Sequence, residues 1–231
     1  IDYPTLNLRL AKLCQKYSCP ALFFICPQVW AWRKGRIKQI QRTVDKMFVI
    51  FPFEEDIYRR AGVPVEFVGH PLIDLAKARE SRNSFLSRRG LDAASPTVAL
   101  LPGSRPNELK LILPVLVRAA SMIATRVPAV QFVVARAPHL DTSLFEPLGE
   151  VVGSGGRAPV IVESQTDDVI AASDVVLVAS GTATIQAAIH ERPMVVVYRV
   201  SPLTYLARGL LQVDTFGMVN LVAGRQIVPE L

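Results

Sequence analysis

The sequence predicts an α/β fold of two doubly wound, Rossmann-like domains, of which the first is incomplete. Two observations favour it: continuous apolar runs of strand length recur along the chain, and helix-like stretches separate most of them. Because the runs lack polar alternation, their strands are expected to be buried on both faces, as in a parallel sheet covered by helices. In the second part of the chain the predicted strands are 97–101, 130–135, 159–162, 175–179 and 194–198.

The first part of the chain repeats this pattern with too few strands for a complete domain. Its predicted strands are 21–26, 47–51 and 65–68, and its predicted helices include 6–17 and 54–61. Gly69, His70 and Pro71 end the last of these strands, and residues 76–89 are polar and basic. We therefore place the domain boundary near Asp74, which gives domains 1–74 and 75–231.

The composition excludes several classes of protein. Of the 231 residues, 50% are hydrophobic and 20% are charged, which is typical of a globular chain and not of a disordered segment or a coiled coil. The longest strictly apolar run, residues 21–26, is far shorter than the roughly 20 residues of a membrane-spanning helix. The chain begins with Ile1 and no basic-then-apolar leader follows, so we expect no signal peptide and an internal start.

The cysteines indicate a compartment. Cys14, Cys19 and Cys26 lie near one end of the chain, whereas the three histidines are scattered elsewhere. A structural zinc site needs about four nitrogen or sulfur ligands at short spacings. We therefore expect free thiols in a reducing cytosol.

The net charge of +6 is concentrated in one segment. Residues 33–46 hold six basic side chains against the single acidic residue Asp45. Ile37, Ile40 and Val44 recur at helical spacing, so the segment is predicted to be an amphipathic helix with a cationic outer face. Nucleic acid, an anionic membrane surface and an anionic small substrate are the three partners that suit such a face. A solvated helix face without a partner has the same composition.

A ligand crevice is expected in the second domain. Ligands of an open α/β sheet bind beyond the carboxyl ends of the strands where the strand order reverses, which for the order 3-2-1-4-5 is between the first and fourth strands. The loops leaving those strands, 102–105 and 180–184, each place glycine and hydroxyl side chains at a helix N-terminus, where free N–H groups attract phosphate. Arg105 adds a cation that can bind phosphate through two hydrogen bonds. One such loop alone is more often an N-cap, but the pair predicts a diphosphate site.

Other phosphate chemistries lack their motifs. The sequence has no G-x-x-x-x-G-K-[ST] segment and no G-x-G-x-x-G after a strand, which disfavours a P-loop NTPase and a dinucleotide-dependent oxidoreductase. It has no Asp-x-Asp pair to hold a divalent ion, and the adjacent Asp167 and Asp168 are expected to cap a helix. We thus expect a nucleotide-diphosphate binder that uses Arg105 and helix N-termini, with no metal and no cofactor.

Several segments spread over nearly the whole chain form a characteristic set. They are 26–33 (CPQVWAWR), 52–54 (PFE), 68–71 (VGHP), 101–105 (LPGSR), 180–184 (SGTAT), 220–221 (NL) and 223–225 (AGR). Together and in this order they resemble the lipid-A-disaccharide synthase family. The resemblance implies a GT-B glycosyltransferase, with the acceptor on the side of the first domain and the UDP-sugar donor in the second.

The activity that the resemblance implies is an inverting, metal-independent hexosyl transfer. It joins UDP-2,3-diacylglucosamine to 2,3-diacylglucosamine 1-phosphate and yields β-1,6-linked lipid A disaccharide 1-phosphate and UDP, a step of lipid A biosynthesis for the Gram-negative outer membrane. The enzyme is expected to be cytoplasmic and peripheral on the inner membrane, with the basic helix 33–46 facing the membrane surface. Nucleic acid is not an expected partner, and an oligomer is left open.

The resemblance also implies site residues by position. Asp2 matches the aspartate proposed as the base for the acceptor hydroxyl, although an aspartate before a helix can equally be a cap. Arg105 corresponds to an arginine near the donor diphosphate and Asn220 to an asparagine of the donor site. The other donor-site residues are expected to be Ser104, Ser180, Gly181, Thr182 and Gln186.

The sequence departs from the family pattern in two places. Residues 2–7 (DYPTLN) lack the second aspartate of the family's segment. Gln186 stands where the family has a glutamate that is expected to accept hydrogen bonds from both ribose hydroxyls, so the glutamine is expected to weaken UDP binding and Gln186→Glu to tighten it. The family's N-terminal strands with their glycine-rich loop, and its helices after Leu231, are missing, so the chain is expected to be an inactive fragment.

Two rival readings remain open from the sequence. One is another GT-B enzyme that uses UDP-N-acetylglucosamine, such as a 2-epimerase or the peptidoglycan transferase, which would not be expected to carry residues 29–32 (VWAW). The other is a non-catalytic module that binds a nucleotide or a membrane.

Overall fold

The computed structural model describes residues 3–29, 35–151, 156–199 and 217–231. The described residues divide into two compact units, the first ending at Ile73 and the second beginning at Asp74. Each unit contains a parallel sheet with helices, which confirms the predicted α/β class. No described helix is both long enough and apolar enough to cross a membrane.

The first unit has a parallel sheet of strand order β1-β2-β3 in its described part. The strands are β1 (Leu22–Phe24), β2 (Lys46–Val49) and β3 (Val65–Phe67), and the helices are α1 (Pro4–Lys16), α2 (Arg36–Thr43) and α3 (Pro52–Arg60). Met47 and Val49 of the central strand are fully buried, as is Ile40 of α2. Helix α3 begins at this point because Pro52 suits the first helical position and the Glu54 carboxylate accepts a hydrogen bond from the Phe51 N–H.

The second unit has a five-stranded parallel sheet of strand order β6-β5-β4-β7-β8. This is the 3-2-1-4-5 order that was predicted, and all five predicted strands are present within one or two residues. After α4 (Leu72–Leu75), which lies at the boundary, its elements are α5 (Arg82–Ser87), β4 (Thr97–Leu101), α6 (Pro106–Ala124), β5 (Gln131–Arg136), a 3₁₀ helix (Thr142–Glu150), β6 (Val160–Glu163), α7 (Thr166–Ala171), β7 (Val175–Ala179), α8 (Thr182–Ile189), β8 (Met194–Val197) and α9 (Met218–Ala223).

The second sheet is covered on both faces, which explains why its strands are continuous apolar runs. On one face Leu100 and Phe132 pack in a cluster with Leu116 of α6 and with the 3₁₀ helix. On the other face Ala99 and Val178 pack in a cluster with residues of α5, α7 and α8. Every residue of β4 is buried, so no position along it favours a polar side chain facing solvent.

Candidate functional site

The central strands β4 and β7 bring the two predicted phosphate loops to one edge of the second sheet. The strands pair in parallel, with Val98 opposite Val175 and Leu101 opposite Val178. The loops that begin at Pro102 and Ser180 therefore leave the sheet side by side. The strand order reverses between these two strands, which is where an open α/β sheet binds its ligand.

The loop after β4 is held in a conformation that requires glycine. Gly103 has a φ of 109°, and a Cβ at this position would overlap the Glu108 carboxylate. Glu108 reaches back from the first turn of α6, and its Oε2 accepts a hydrogen bond from the Ser104 N–H at 3.1 Å. His139 Nε2 donates to the Ser104 carbonyl oxygen at 2.7 Å. The sequence reasoning missed Glu108 and His139, because both act on the loop through tertiary or backbone contacts.

Arg105 occupies the N-cap position of α6, in extended backbone conformation with a φ of −117° and a ψ of 140°. The residue is exposed, and none of the described residues forms a hydrogen bond or ion pair with its guanidinium. Pro106 follows at the first helical position. An uncommitted cation therefore stands beside the N–H groups of the first turn of a long helix, and both features favour an anion.

The loop after β7 leads into α8 through a second glycine of unusual conformation. Gly181 has a φ of 155°, and its carbonyl oxygen accepts hydrogen bonds from the Thr184 hydroxyl at 2.8 Å and the Thr184 N–H at 3.1 Å. These bonds use Thr184 to close the first turn of the helix. Thr182 is exposed at the start of that turn, where its hydroxyl can reach an anion at the helix N-terminus.

Tyr198 follows β8, and the pKa of its phenol is affected by Glu108, the residue that holds the loop after β4. Burial raises the pKa of the Tyr198 phenol, and the Glu108 carboxylate raises it further. The phenol is therefore held in its protonated form, as a hydrogen-bond donor. Tyr198 is thus a further residue that the structure brings near Glu108, on the side of β7 away from β4.

Gln186 lies one turn after Thr182 on α8, so the two residues share a face of the helix. Its side chain is engaged: Gln186 Nε2 donates to Asp167 Oδ1 at 3.1 Å. His190, the C-cap residue of α8, places its Nε2 3.0 Å from the same oxygen. These three side chains form a partly buried cluster between α7 and α8, which the sequence analysis did not predict.

The expectation that Asp167 and Asp168 cap a helix is wrong. Both lie in the first turn of α7, but the N-cap position is Gln165. Asp168 is buried, and its Oδ1 accepts hydrogen bonds from the backbone N–H groups of Arg79 and Glu80. The partners of Asp168 are at least 88 residues away in the sequence, and these tertiary contacts outweigh the local preference for capping.

Asn220 forms structural hydrogen bonds, and its place in the donor site stays a prediction. The residue is 1% exposed, and its Nδ2 donates to the Val228 carbonyl oxygen and to Glu230 Oε1. Its Oδ1 accepts from the N–H groups of Ile227 and Val228. An amide side chain offers two donor hydrogens and one acceptor oxygen, so these bonds use its polar capacity. Asn220 fixes the C-terminal segment, which in turn bonds to Val196 of β8.

The remaining predicted features belong to the first unit. Asp2, Arg33 and Lys34 lie outside the described residues. The helical part of the basic segment is α2, where Arg36 donates to the Thr5 hydroxyl at 2.9 Å. After α2, Lys46 pairs with Glu66 at 2.6 Å.

Within the described part of this segment, the cationic face is therefore narrower than the sequence suggested. Lys38 and Arg42 remain as exposed basic residues on α2. Cys14, Cys19 and Cys26 are free, as predicted.

The second unit is a doubly wound α/β fold whose two glycine-containing loops leave the sheet side by side, and comparison with known structures agrees with that fold class. UDP-GlcNAc 2-epimerase from Neisseria meningitidis bound to UDP-GlcNAc is 14% identical, with a TM-score of 0.58 over 94% of this chain and 63% of that chain. S. aureus MnaA in complex with UDP is 13% identical, with a TM-score of 0.55 over 96% of this chain and 70% of that chain. These similarities extend to the fold, and the Rossmann-like, GT-B class predicted from the sequence is confirmed.

Comparison at the level of sequence identifies the family. Residues 1–231 match the lipid-A-disaccharide synthetase family, and the chain belongs to it. Lipid-A-disaccharide synthase of Myxococcus xanthus is 44% identical, and that of Syntrophus aciditrophicus is 46% identical. Both alignments cover 100% of this chain, which spans 60% of the length of these relatives.

Proposed function

We propose that the chain is part of a glycosyltransferase that joins UDP-2,3-diacylglucosamine to 2,3-diacylglucosamine 1-phosphate. Transfer would form the β-1,6-linked disaccharide 1-phosphate of lipid A with inversion and release UDP. The observation that carries the proposal is the family match over the whole chain. It is supported by the two phosphate loops that β4 and β7 bring to one edge of the sheet.

The donor diphosphate is assigned to the loops after β4 and β7. Arg105 would bind it with two charge-assisted hydrogen bonds, and the N-termini of α6 and α8, with Ser104 and Ser180 to Thr182, would supply backbone N–H groups and hydroxyls. Negative charge grows on the diphosphate as the sugar bond breaks. A fixed cation and oriented N–H groups stabilise that charge more in the transition state than in the bound donor, which accelerates transfer.

The acceptor side is assigned to the first unit. Asp2 is the proposed base that removes the proton from the acceptor 6-hydroxyl as it attacks the anomeric carbon. The base and the leaving diphosphate lie on opposite sides of that carbon in an inverting displacement, so one carboxylate and one anion site suffice. This sequence of events requires no covalent sugar intermediate.

We further propose that the enzyme acts as a peripheral protein at the cytoplasmic face of the inner membrane. Its substrates carry acyl chains, and Lys38 and Arg42 on α2 offer exposed cations for anionic lipid headgroups. The full-length family member would then take both lipid substrates from the membrane surface while its donor site remains in water.

A product assay on the full-length enzyme tests the proposal. UDP release is expected only when both lipid substrates are present, together with a disaccharide product that carries the acceptor's phosphate. UDP-N-acetylglucosamine is the control donor, because a 2-epimerase would convert it without an acceptor. Epimerisation, or UDP release that does not depend on the acceptor, would contradict the assignment.

A further inference from the structure

The cluster of Asp167, Gln186 and His190 determines which end of the glutamine amide is available to a ligand. Asp167 Oδ1 lies 3.1 Å from Gln186 Nε2 and 3.0 Å from His190 Nε2. A carboxylate can only accept hydrogen bonds, so the amide must present its NH₂ group to Asp167, and His190 must carry a proton on Nε2. This orientation follows from the chemistry of the partner and does not depend on how the amide atoms are labelled.

Because the NH₂ group of Gln186 faces Asp167, its Oε1 is the atom that remains for a ligand. Among the described residues, none donates a hydrogen bond to Gln186 Oε1. A glutamine without a partner would present either its oxygen or its NH₂ group to a ligand, and half of the orientations would be wrong for a hydroxyl donor. With Asp167 in place, the side chain offers one fixed acceptor. A fixed acceptor loses less conformational entropy on binding than a free one.

We propose that Asp167, supported by His190, is a positioning residue for ribose recognition: it orients Gln186 so that Oε1 accepts a hydrogen bond from one ribose hydroxyl of the bound uridine nucleotide. The inference rests on the proposed function, because it takes the nucleotide to lie over the face of α8 that carries Thr182 and Gln186. Gln186 lies one turn after Thr182 on α8, and all three side chains of the cluster are only partly buried. The arrangement thereby replaces the two acceptors of a glutamate with one acceptor held in place by a neighbouring carboxylate.

The test compares UDP with its 2′-deoxy and 3′-deoxy analogues by isothermal titration on the full-length enzyme. The wild type is expected to bind UDP about tenfold more tightly than one of the two analogues, the usual effect of one hydrogen bond to a buried polar group. Asp167→Ala and Gln186→Ala should each bring that ratio close to one, and the double variant should lower it no further. His190→Ala should lower it by a smaller factor.

Control variants separate positioning from a general loss of structure. Asp92 caps the turn before β4, at the opposite edge of the sheet, so Asp92→Ala should leave the ratio unchanged. Asp167→Asn keeps the shape but lets the amide of Gln186 turn over, so an intermediate ratio is expected even if Asp167→Ala does not fold.

The two proposals can fail separately. A wild type that does not bind UDP would overturn both the proposed function and this inference. UDP binding with a discrimination ratio that is the same in wild type and in both Asp167 variants would overturn the positioning role alone.

Discussion

Replacing Gln186 by glutamate tests the cluster through stability. From the sequence alone, this change is expected to tighten UDP binding, because it restores the residue of the family pattern. The structure adds an expected cost in stability, since the new carboxylate would stand about where Gln186 Nε2 now lies, 3.1 Å from Asp167 Oδ1. Two carboxylates at that distance cannot both stay ionised without a large penalty.

The size of the penalty can be bounded in two ways. Coulomb repulsion between unit charges at 3.1 Å is about 5 kcal/mol at an effective dielectric constant of about 20. The protein can avoid this by protonating one carboxyl, which at pH 7 costs about 4 kcal/mol for a glutamate of ordinary pKa near 4.3. Asp167 is 24% exposed, so solvent screens part of the repulsion, and we expect a loss of unfolding free energy of about 1 to 3 kcal/mol.

The pH dependence gives the prediction its sign. The pKa of the introduced glutamate is expected to be higher in the folded than in the unfolded state. The penalty should therefore be absent below about pH 4, where the introduced glutamate is protonated in both the folded and the unfolded state. It should grow as the pH rises towards neutrality. Urea unfolding of the full-length enzyme at several pH values measures it.

Matched variants isolate the charge. Gln186→Met removes the hydrogen bond without adding charge, so its difference in unfolding free energy from the wild type should change little with pH over this range. Gln186→Glu combined with Asp167→Asn should recover stability at pH 7 and bind UDP more tightly than Gln186→Glu alone. Equal stability of Gln186→Glu and wild type at pH 7 would refute the reasoning.

Three further predictions concern other parts of the chain. Cys26→Ala removes the thiol that donates to Glu54 Oε1 at 2.9 Å and should lower the unfolding free energy by about 1 to 2 kcal/mol, whereas Cys26→Ser should retain most of the wild-type stability. Because burial and then Glu54 raise the pKa of Cys26, iodoacetamide should modify the exposed Cys19 well before Cys26, and equal rates of modification would contradict this prediction. Arg82→Ala removes the ion pair with Asp174, whose pKa is lowered because hydrogen bonds from Thr97 and Arg82 together outweigh burial. The wild type should therefore lose the stabilisation from this ion pair as the pH falls below about 4, and a variant whose stability depends on acid to the same extent would contradict the role of the pair. Lys38→Gln with Arg42→Gln should weaken binding to anionic vesicles by about 1 kcal/mol per charge, while Arg118→Gln, an exposed change on α6, should not; unaltered co-sedimentation at low salt would contradict the membrane role of α2.

The fold of the second unit was predictable because the sequence pattern of each strand and helix lies within that element. Each strand buried on both faces is a continuous apolar run, and right-handed βαβ connections leave few ways to arrange five such strands. The two loops with Gly103 and Gly181 were predictable for the same reason, since glycine marks positions of positive φ next to a helix start.

The partners of the polar side chains were not predictable from local patterns. Gln186 and Asp167 are 19 residues apart, and Cys26 and Glu54 are 28 apart, so no helical or strand periodicity links them. Asn220 is a further example of such partners. Its position matched a family motif, but the structure commits its amide to backbone groups of residues 227 and 228.

Turnover of the Arg105→Ala variant tests the central claim most directly, namely that the loops after β4 and β7 hold the donor diphosphate. Arg126→Ala is the matched control, because it removes an exposed arginine near the other end of α6. In the full-length enzyme with both lipid substrates, Arg105→Ala should lower kcat by about a hundredfold or more, the scale of one lost transition-state charge contact, and Arg126→Ala should leave it unchanged. Equal kcat and KM values for Arg105→Ala and wild type would contradict the account.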